Sequence, residues 1–165
     1  MLRRCNDDDF KSVYTIINDA ARAYCGVIPA DCWKEPYMPR DELRREIDAG
    51  VVFWGFEQGQ QLLGVMGLQE VGEATLIRHA YTRTQYQRQG IAAQLLRSLC
   101  DRARKPVLIG TWQSASWAIA FYQKHGFQLV SHEHKDALLK TYWNVPARQI
   151  ETSVVLSNQS VERLL

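Results

Sequence analysis

The sequence predicts an α/β (α+β) fold, a mixed and mostly antiparallel central sheet flanked by helices. Three observations carry this. Alternating runs at Val51 to Glu57, Gln61 to Val71 and Ala74 to Thr82 are joined by Gln58-Gly59-Gln60 and Gly72-Glu73, and connections this short join antiparallel strands. The passage from Ala74–Thr82 through a helix to Val107–Thr111 needs a parallel neighbour. The 165 residues, 46% hydrophobic and 23% charged, are one ordinary globular domain (1–165), with no linker, repeat or low-complexity block.

Taken in order, Asn6 or Asp7 caps a first helix with Phe10, Val13, Tyr14, Ile17 and Ala21 at helical spacing, stopped by Gly26. An irregular stretch, Val27 to Pro39, is rich in aromatics and proline. A second helix, about Arg40 to Ala49, turns Leu43 and Ile47 inward and ends at Gly50. In the returning strand, Gly64 and Gly67 mark twists or bulges. A helix from Gly90 to about Arg104 carries Ile91, Leu95 and Leu99 on one face and is stopped by Pro106. Val107 to Thr111 is continuously apolar, as a strand buried on both faces is. A helix from Ser116 to His125 ends at Gly126, and Phe127 to Ser131 follows as a strand. His132 to Gln149 is mixed, with a short helix at Ala137 to Trp143. Glu151 to Leu156 is a last strand, and the residues from Ser157 on read as a frayed end.

Bulk properties exclude several classes. A net charge of +2 is too small for a nucleic-acid binder. No apolar run approaches the roughly 20 residues of a membrane span, and no apolar stretch follows the basic residues at Arg3 and Arg4, so no secretory signal is expected. Cys5, Cys25, Cys32 and Cys100 form no CxxC pair, which fits free thiols in a reducing cytoplasm. His132, Glu133 and His134 lack a third ligand at metal spacing and read as solvated strand-end residues, so no metal is expected.

Between Thr82 and the next helix lies Arg83-Thr84-Gln85-Tyr86-Gln87-Arg88-Gln89-Gly90. A glycine at a helix mouth admits other atoms close to the backbone. First-turn amides have no partner inside the helix, and the dipole adds partial positive charge there. With Gln87, Arg88 and Gln89 supplying donors and a cation, and Arg83 a second cation, the stretch is suited to phosphate. Read alone, it is also an ordinary strand-to-helix turn with a solvated loop.

Here the chain resembles a known family. The GNAT superfamily of acyl-CoA-dependent N-acetyltransferases carries Gln/Arg-x-x-Gly-x-Gly/Ala after its fourth strand, matched by Gln87-Arg88-Gln89-Gly90-Ile91-Ala92. A second pattern, Asn-x-x-Ala-x-x-Phe/Leu-Tyr-x-x-x-Gly-Phe, is met by Ala118, Phe121, Tyr122, Gly126 and Phe127, with Ala115 where the family has Asn. The resemblance spans roughly Leu2 to Leu156 and implies a GNAT-like fold with acetyl-CoA as co-substrate. It implies that the amides from Arg88 to Ala93, including Gln89, Gly90, Ile91 and Ala92, hold the pyrophosphate, helped by the Gln87 and Arg88 side chains. It further implies that the strand edge at Ala80, Tyr81 and Thr82 binds pantetheine and that a splay between this strand and Val107–Thr111 admits the cofactor. Tyr122 is then the acid that protonates the thiolate, and Ser114 or Ser116 stands in for the missing Asn.

The chemistry also demands a route for the amine proton, because an alkylamine with a pKa near that of Lys, about 10.4, is mostly protonated at neutral pH. Glu70, His79 and Glu73 are the candidate bases; His79, alternating in phase with Ile77 and Tyr81, serves equally as a sheet-face residue, and Glu73 as a turn residue. Tyr24, Trp33, Tyr37 and Met38 offer walls for an acceptor, with Asp31 and Glu35 to meet a cation and Tyr142, Trp143 and Arg148 opposite; the same aromatics equally pack loops onto the sheet. The expected activity is direct acetyl transfer in a ternary complex to a primary amine of a small molecule. A protein lysine or N-terminus is the alternative acceptor, and a non-catalytic CoA-binding sensor the alternative of another class. The last strand and tail are placed to pair between two copies, which would give a homodimer.

Overall fold

A seven-stranded sheet runs through the computed structural model, which describes residues 1–165. Its strands are β1 (Leu2–Arg4), β2 (Val52–Gln58), β3 (Gln61–Val71), β4 (Ala74–Thr82), β5 (Val107–Trp112), β6 (Gln128–Leu129) and β7 (Ser153–Ser157). They lie in the order β1-β2-β3-β4-β5-β7-β6, with β4–β5 the only parallel pair. The mixed, mostly antiparallel sheet is therefore the one the turns and the single crossover dictate.

Helices cover both faces. On one, α1 (Phe10–Ala20) and α2 (Arg40–Asp48) lie over the β2–β4 half, and α5 (His132–Tyr142) over the β5–β7 half. On the other lie α3 (Ile91–Arg102) and α4 (Ser116–Lys124). Alternation puts Val65 under α1 and Met66 under α3, and a bulge opposite Phe56 and Glu57 resets the phase so that Leu62 also lies under α1 and Leu63 under α3. Ile91, Leu95 and Leu99 form the buried stripe of α3. Gly64 makes their close approach possible, since a Cβ there would stand 2.8 Å from the Ile91 side chain.

One irregularity in β4 shapes everything downstream. Val65 pairs with Tyr81 and Gly67 with Arg78, so Met66 faces two residues, His79 and Ala80. This bulge puts His79 in the left-handed region at φ 55° and reverses the phase of the strand. Ile77 and Ala80 consequently pack with the α3 face and Tyr81 with the α1 face. The simple alternation that would put His79 in phase with Ile77 and Tyr81 does not hold.

Other expectations change at both ends of the chain. β1 is a three-residue edge strand too short to leave a periodic signal. The expected strand from Phe127 is cut to two residues, because Ser131 caps α5 by accepting from the His134 amide. His132 and His134 thus open a helix. That helix is longer than expected because its inward face carries a buried Lys135 beside Leu138 and Leu139; the ammonium donates to the Ile150 carbonyl at 2.8 Å and pairs with Asp136 at 2.7 Å. A further turn, α6 (Ala147–Glu151), takes the residue expected to start the last strand. The tail is not frayed: Leu164 is buried against Ala74, Leu76 and Leu108, and β7 is paired on both sides by its own chain.

Candidate active site

The parallel pairing of β4 with β5 runs from Thr75–Val107 to Ile77–Ile109 and stops there. Beyond it the strands part, and the gap is the floor of a cavity of about 830 Å³ lined by 24 residues. Ala80, Tyr81 and Thr82 form one edge, Gly110 and Thr111 the other. Tyr86, Gln87, Arg88, Gly90, Ile91, Ala92 and Ala93 close one end, and Trp117, Ala118, Phe121 and Tyr122 of α4 form a wall.

The α3 end is a set of unpaired donors. Arg88 (φ 62°) and Gly90 (φ 80°) are left-handed and Gln89 between them is not, an alternation that turns successive amides toward one point. The amides of Arg88 through Ala93 donate to nothing within the chain; the first intrahelical bond is Gln94 to the Gly90 carbonyl. A Cβ on Gly90 would meet only Gln94 Nε2 at 4.0 Å, so the position is open as well as left-handed. Nearby atoms anchor the loop: the Thr84 amide donates to Asp19 Oδ2 at 2.8 Å, Arg83 Nε to the Leu62 carbonyl at 2.7 Å, and Gln87 Nε2 to the Thr82 carbonyl at 3.2 Å. Arg83 is thereby committed to the backbone, and Arg88 remains as the cation at this end.

Charge completes the fit to a phosphorylated ligand. No Asp or Glu lines the cavity, whereas Arg88, Lys124, His79 and His125 do. An acid-free, cation-bearing cleft with six free amides suits a polyanion such as the CoA diphosphate. Gln89 and Ser116 stand apart from this lining, both being exposed. Ala115 is fully buried, and Ser114 carries a buried hydroxyl without a partner, also outside the cavity.

Tyr122 is 7% exposed, with Phe121 and Phe127 edge-on to its ring. Its hydroxyl has no hydrogen-bond partner within the chain. Burial, and then the nearby Tyr24, push the phenol pKa well above its ordinary value. It therefore favours the protonated form, which has a proton to donate to a developing anion.

The candidate bases separate cleanly. Glu70 and Glu73 sit at the β3–β4 turn, the end where β4 and β5 are still bonded; Glu70 accepts from Thr75 Oγ1 at 2.9 Å and faces Lys105 Nζ at 3.5 Å. Neither lines the cavity, and His79 does. His79 Nε2 stands 2.8 Å from Oε2 of Glu46, whose Oε1 is 2.6 Å from Arg78 Nη2. Burial alone would raise the Glu46 carboxyl pKa; His79, Arg78 and Arg45 outweigh it and hold the group below its usual value. Glu46 is the residue that sequence reasoning missed. Its one signal is an acid between Leu43 and Ile47 on the inward side of α2.

The aromatic segment after α1 closes the other end. Tyr24 lines the cavity and contacts Tyr37 (5.4 Å), Tyr81 (6.3 Å) and Trp117 (6.0 Å between ring centres). Tyr37 accepts from Trp112 Nε1 at 2.8 Å, and Trp33 stacks on Tyr37 behind it, so these two support the wall rather than form it. Asn18 holds Met38 by both its amide and its carbonyl, at 2.9 and 3.0 Å. Arg148 Nε reaches Asp31 Oδ2 at 2.9 Å, joining α6 to this segment. Trp143 instead packs behind the sheet against Gly110, with Tyr142 beside it in the α5 cluster.

Residues 13–141 match the family model described as an acetyltransferase (GNAT) domain. No curated protein matches the chain in sequence. Among solved structures, the chain is similar to the PaiA N-acetyltransferase of Thermoplasma acidophilum in complex with coenzyme A, at 14% identity and TM-score 0.69 over 97% of this chain and 98% of that one. It is similar also to the ribosomal-protein-S18-alanine N-acetyltransferase of Escherichia coli (16%, TM-score 0.67, 100% and 98%). A third likeness, N-acetylglutamate synthase of Neisseria gonorrhoeae with coenzyme A and N-acetyl-glutamate, is 17% identical with TM-score 0.64, over 95% of this chain and 34% of that one.

Proposed function

The chain belongs to the GNAT acetyltransferases, and from that premise we propose that it moves an acetyl group from acetyl-CoA to the primary amine of a small molecule. The observation that carries the reading is the run of six unpaired amides at the mouth of α3, opening onto the splay between β4 and β5. The amides from Arg88 to Ala93 would hold the diphosphate, with Gln87 and Arg88 beside them. The freed edge at Ala80–Thr82 would hydrogen-bond the pantetheine arm.

His79 is the base in this reading, since of the three candidates it alone lines the cavity. His79 takes a proton from the acceptor ammonium, and the neutral nitrogen then attacks the thioester carbonyl, forming the C–N bond. As the C–S bond breaks, the thiolate takes the proton of Tyr122, and the second N–H proton lost by the acylated nitrogen restores the phenol. Ala118, one turn before Tyr122 on the same helix face, leaves room for the sulfur. Transfer is direct, in a ternary complex.

A small acceptor is favoured over a protein chain by the enclosure of the acceptor end. Tyr24, Tyr81 and Trp117 wall it, and the Asn18–Met38 and Asp31–Arg148 links fasten the segment that backs Tyr24. The relatives include enzymes named for N-acetylglutamate synthesis and for ribosomal-protein acceptors, and the walls around Tyr24 are the ground on which this reading prefers the small acceptor. The site itself is tested by calorimetry with acetyl-CoA. Gly90→Glu places a side chain at a left-handed position, costing about 1–2 kcal/mol in backbone strain, and sets a like charge against the diphosphate. Affinity should fall by about 100-fold or more; unchanged affinity removes the cofactor site from this loop.

A further inference from the structure

Glu46 has no role in the site as described so far, yet its surroundings are unusual. It is a carboxylate of α2 with an exposure of 16%, and it reaches across to β4. Burying a carboxylate is costly unless its oxygens are matched. Oε1 is matched by Arg78, which Gln69 Oε1 also holds at 3.2 Å. Oε2 and His79 Nε2 are both fully buried and lie 2.8 Å apart, a charge contact rather than an aligned hydrogen bond, and neither has a hydrogen-bond partner elsewhere in the chain. Neutralising Arg78 requires one oxygen, and the second is spent on the imidazole.

The histidine is held from three sides. The bulge turns its backbone to φ 55°, a conformation that costs a non-glycine residue strain and that clusters at functional sites. Phe53 lies along its ring, with centroids 6.1 Å apart and planes 29° from parallel. Glu46 takes Nε2, leaving Nδ1 as the ring nitrogen with no partner in the chain, on a residue that lines the cavity.

From this geometry we infer that Glu46 is the positioning carboxylate of a Glu46–His79 pair, fixing the proton of the neutral ring on Nε2 so that Nδ1 receives the proton of the attacking amine. The inference rests on the acetyl-transfer reading above. A carboxylate can only accept, so its charge 2.8 Å from Nε2 favours the tautomer with the proton on Nε2 and the lone pair on Nδ1. When Nδ1 takes the amine proton, the imidazolium is stabilised by the same carboxylate, which stays ionised. Glu46 touches neither acetyl-CoA nor the acceptor; it acts through the ring.

Glu46→Gln keeps the shape but can present an amide N–H to Nε2, which favours the wrong tautomer. Thiol release is measured with acetyl-CoA and two amine types, an alkylamine that is protonated at neutral pH and an arylamine that is not. On the alkylamine, kcat should fall at least tenfold in Glu46→Gln and about 100-fold in His79→Gln, with the double variant no slower than His79→Gln alone. On the arylamine, which needs no base before attack, each should change less than threefold, and calorimetric affinity for acetyl-CoA should be unchanged in all three. Equal losses on both amines, a wild-type rate in Glu46→Gln, or multiplying losses in the double variant would overturn the pair. Wild-type protein that binds acetyl-CoA but releases thiol with no amine would overturn the transfer reading itself, and the pair with it.

Discussion

At the scale of single residues, the proposed transfer rests on Gly90, which would let a diphosphate reach the backbone, and on Tyr122, which would return a proton to sulfur. A thiol of pKa about 8.5 leaves more readily with a donor at hand, and burial, which raises the Tyr122 phenol above its ordinary pKa, keeps the proton on it. Tyr122→Phe should therefore lower kcat about 10- to 100-fold while leaving acetyl-CoA affinity within about twofold; a wild-type rate would remove Tyr122 as the acid. Both residues are legible in the sequence, because each sits in a local pattern: a strand, a glycine and an amphipathic helix for one, a helix face ending at Gly126-Phe127 for the other. Glu46 and the orientation of His79 are not. The first meets its partner 33 positions away, and the second depends on a bulge that no alternation rule anticipates.

At the scale of elements, the proposed acceptor end rests on Tyr24, backed by the aromatic stretch after α1, which the Asp31–Arg148 link ties to α6. Of the residues expected to face Tyr24, Trp33 and Tyr37 from the C-terminal insertion, Arg148 reaches their segment, but Trp143 and Tyr142 go to the opposite face, where Gly110 offers the Trp143 ring a flat backbone to lie on. The Asp31–Arg148 link is exposed, so its loss should scarcely alter thermal stability. Its effect belongs to the segment it fastens. Asp31→Asn should raise the KM of the best amine several-fold, with acetyl-CoA affinity and melting temperature nearly unchanged. An unaltered KM would place the acceptor away from this segment.

At the scale of the whole molecule, two core faces meet at a sheet that is continuous except where β4 and β5 part, and the site occupies that break. The hairpins and the single crossover were enough to predict the sheet. The C-terminal third was harder, since the buried Lys135 masks the apolar face of α5 and the closing contacts of the tail are isolated residues rather than a run. Leu164→Ala tests the tail: a buried leucine near the chain end should cost about 2 kcal/mol on denaturant unfolding, and no loss would mean that the tail is not part of the core. The central claim is acetyl transfer from acetyl-CoA to a small amine, and the direct measurement is product formation. Wild-type protein is incubated with acetyl-CoA and a panel of small amines and lysine peptides, and free thiol and N-acetylated product are quantified together. The account predicts equal amounts of thiol and acetylamine with at least one small amine, and little with the peptides. Tight acetyl-CoA binding with no product across the panel, or turnover confined to peptides, would contradict it.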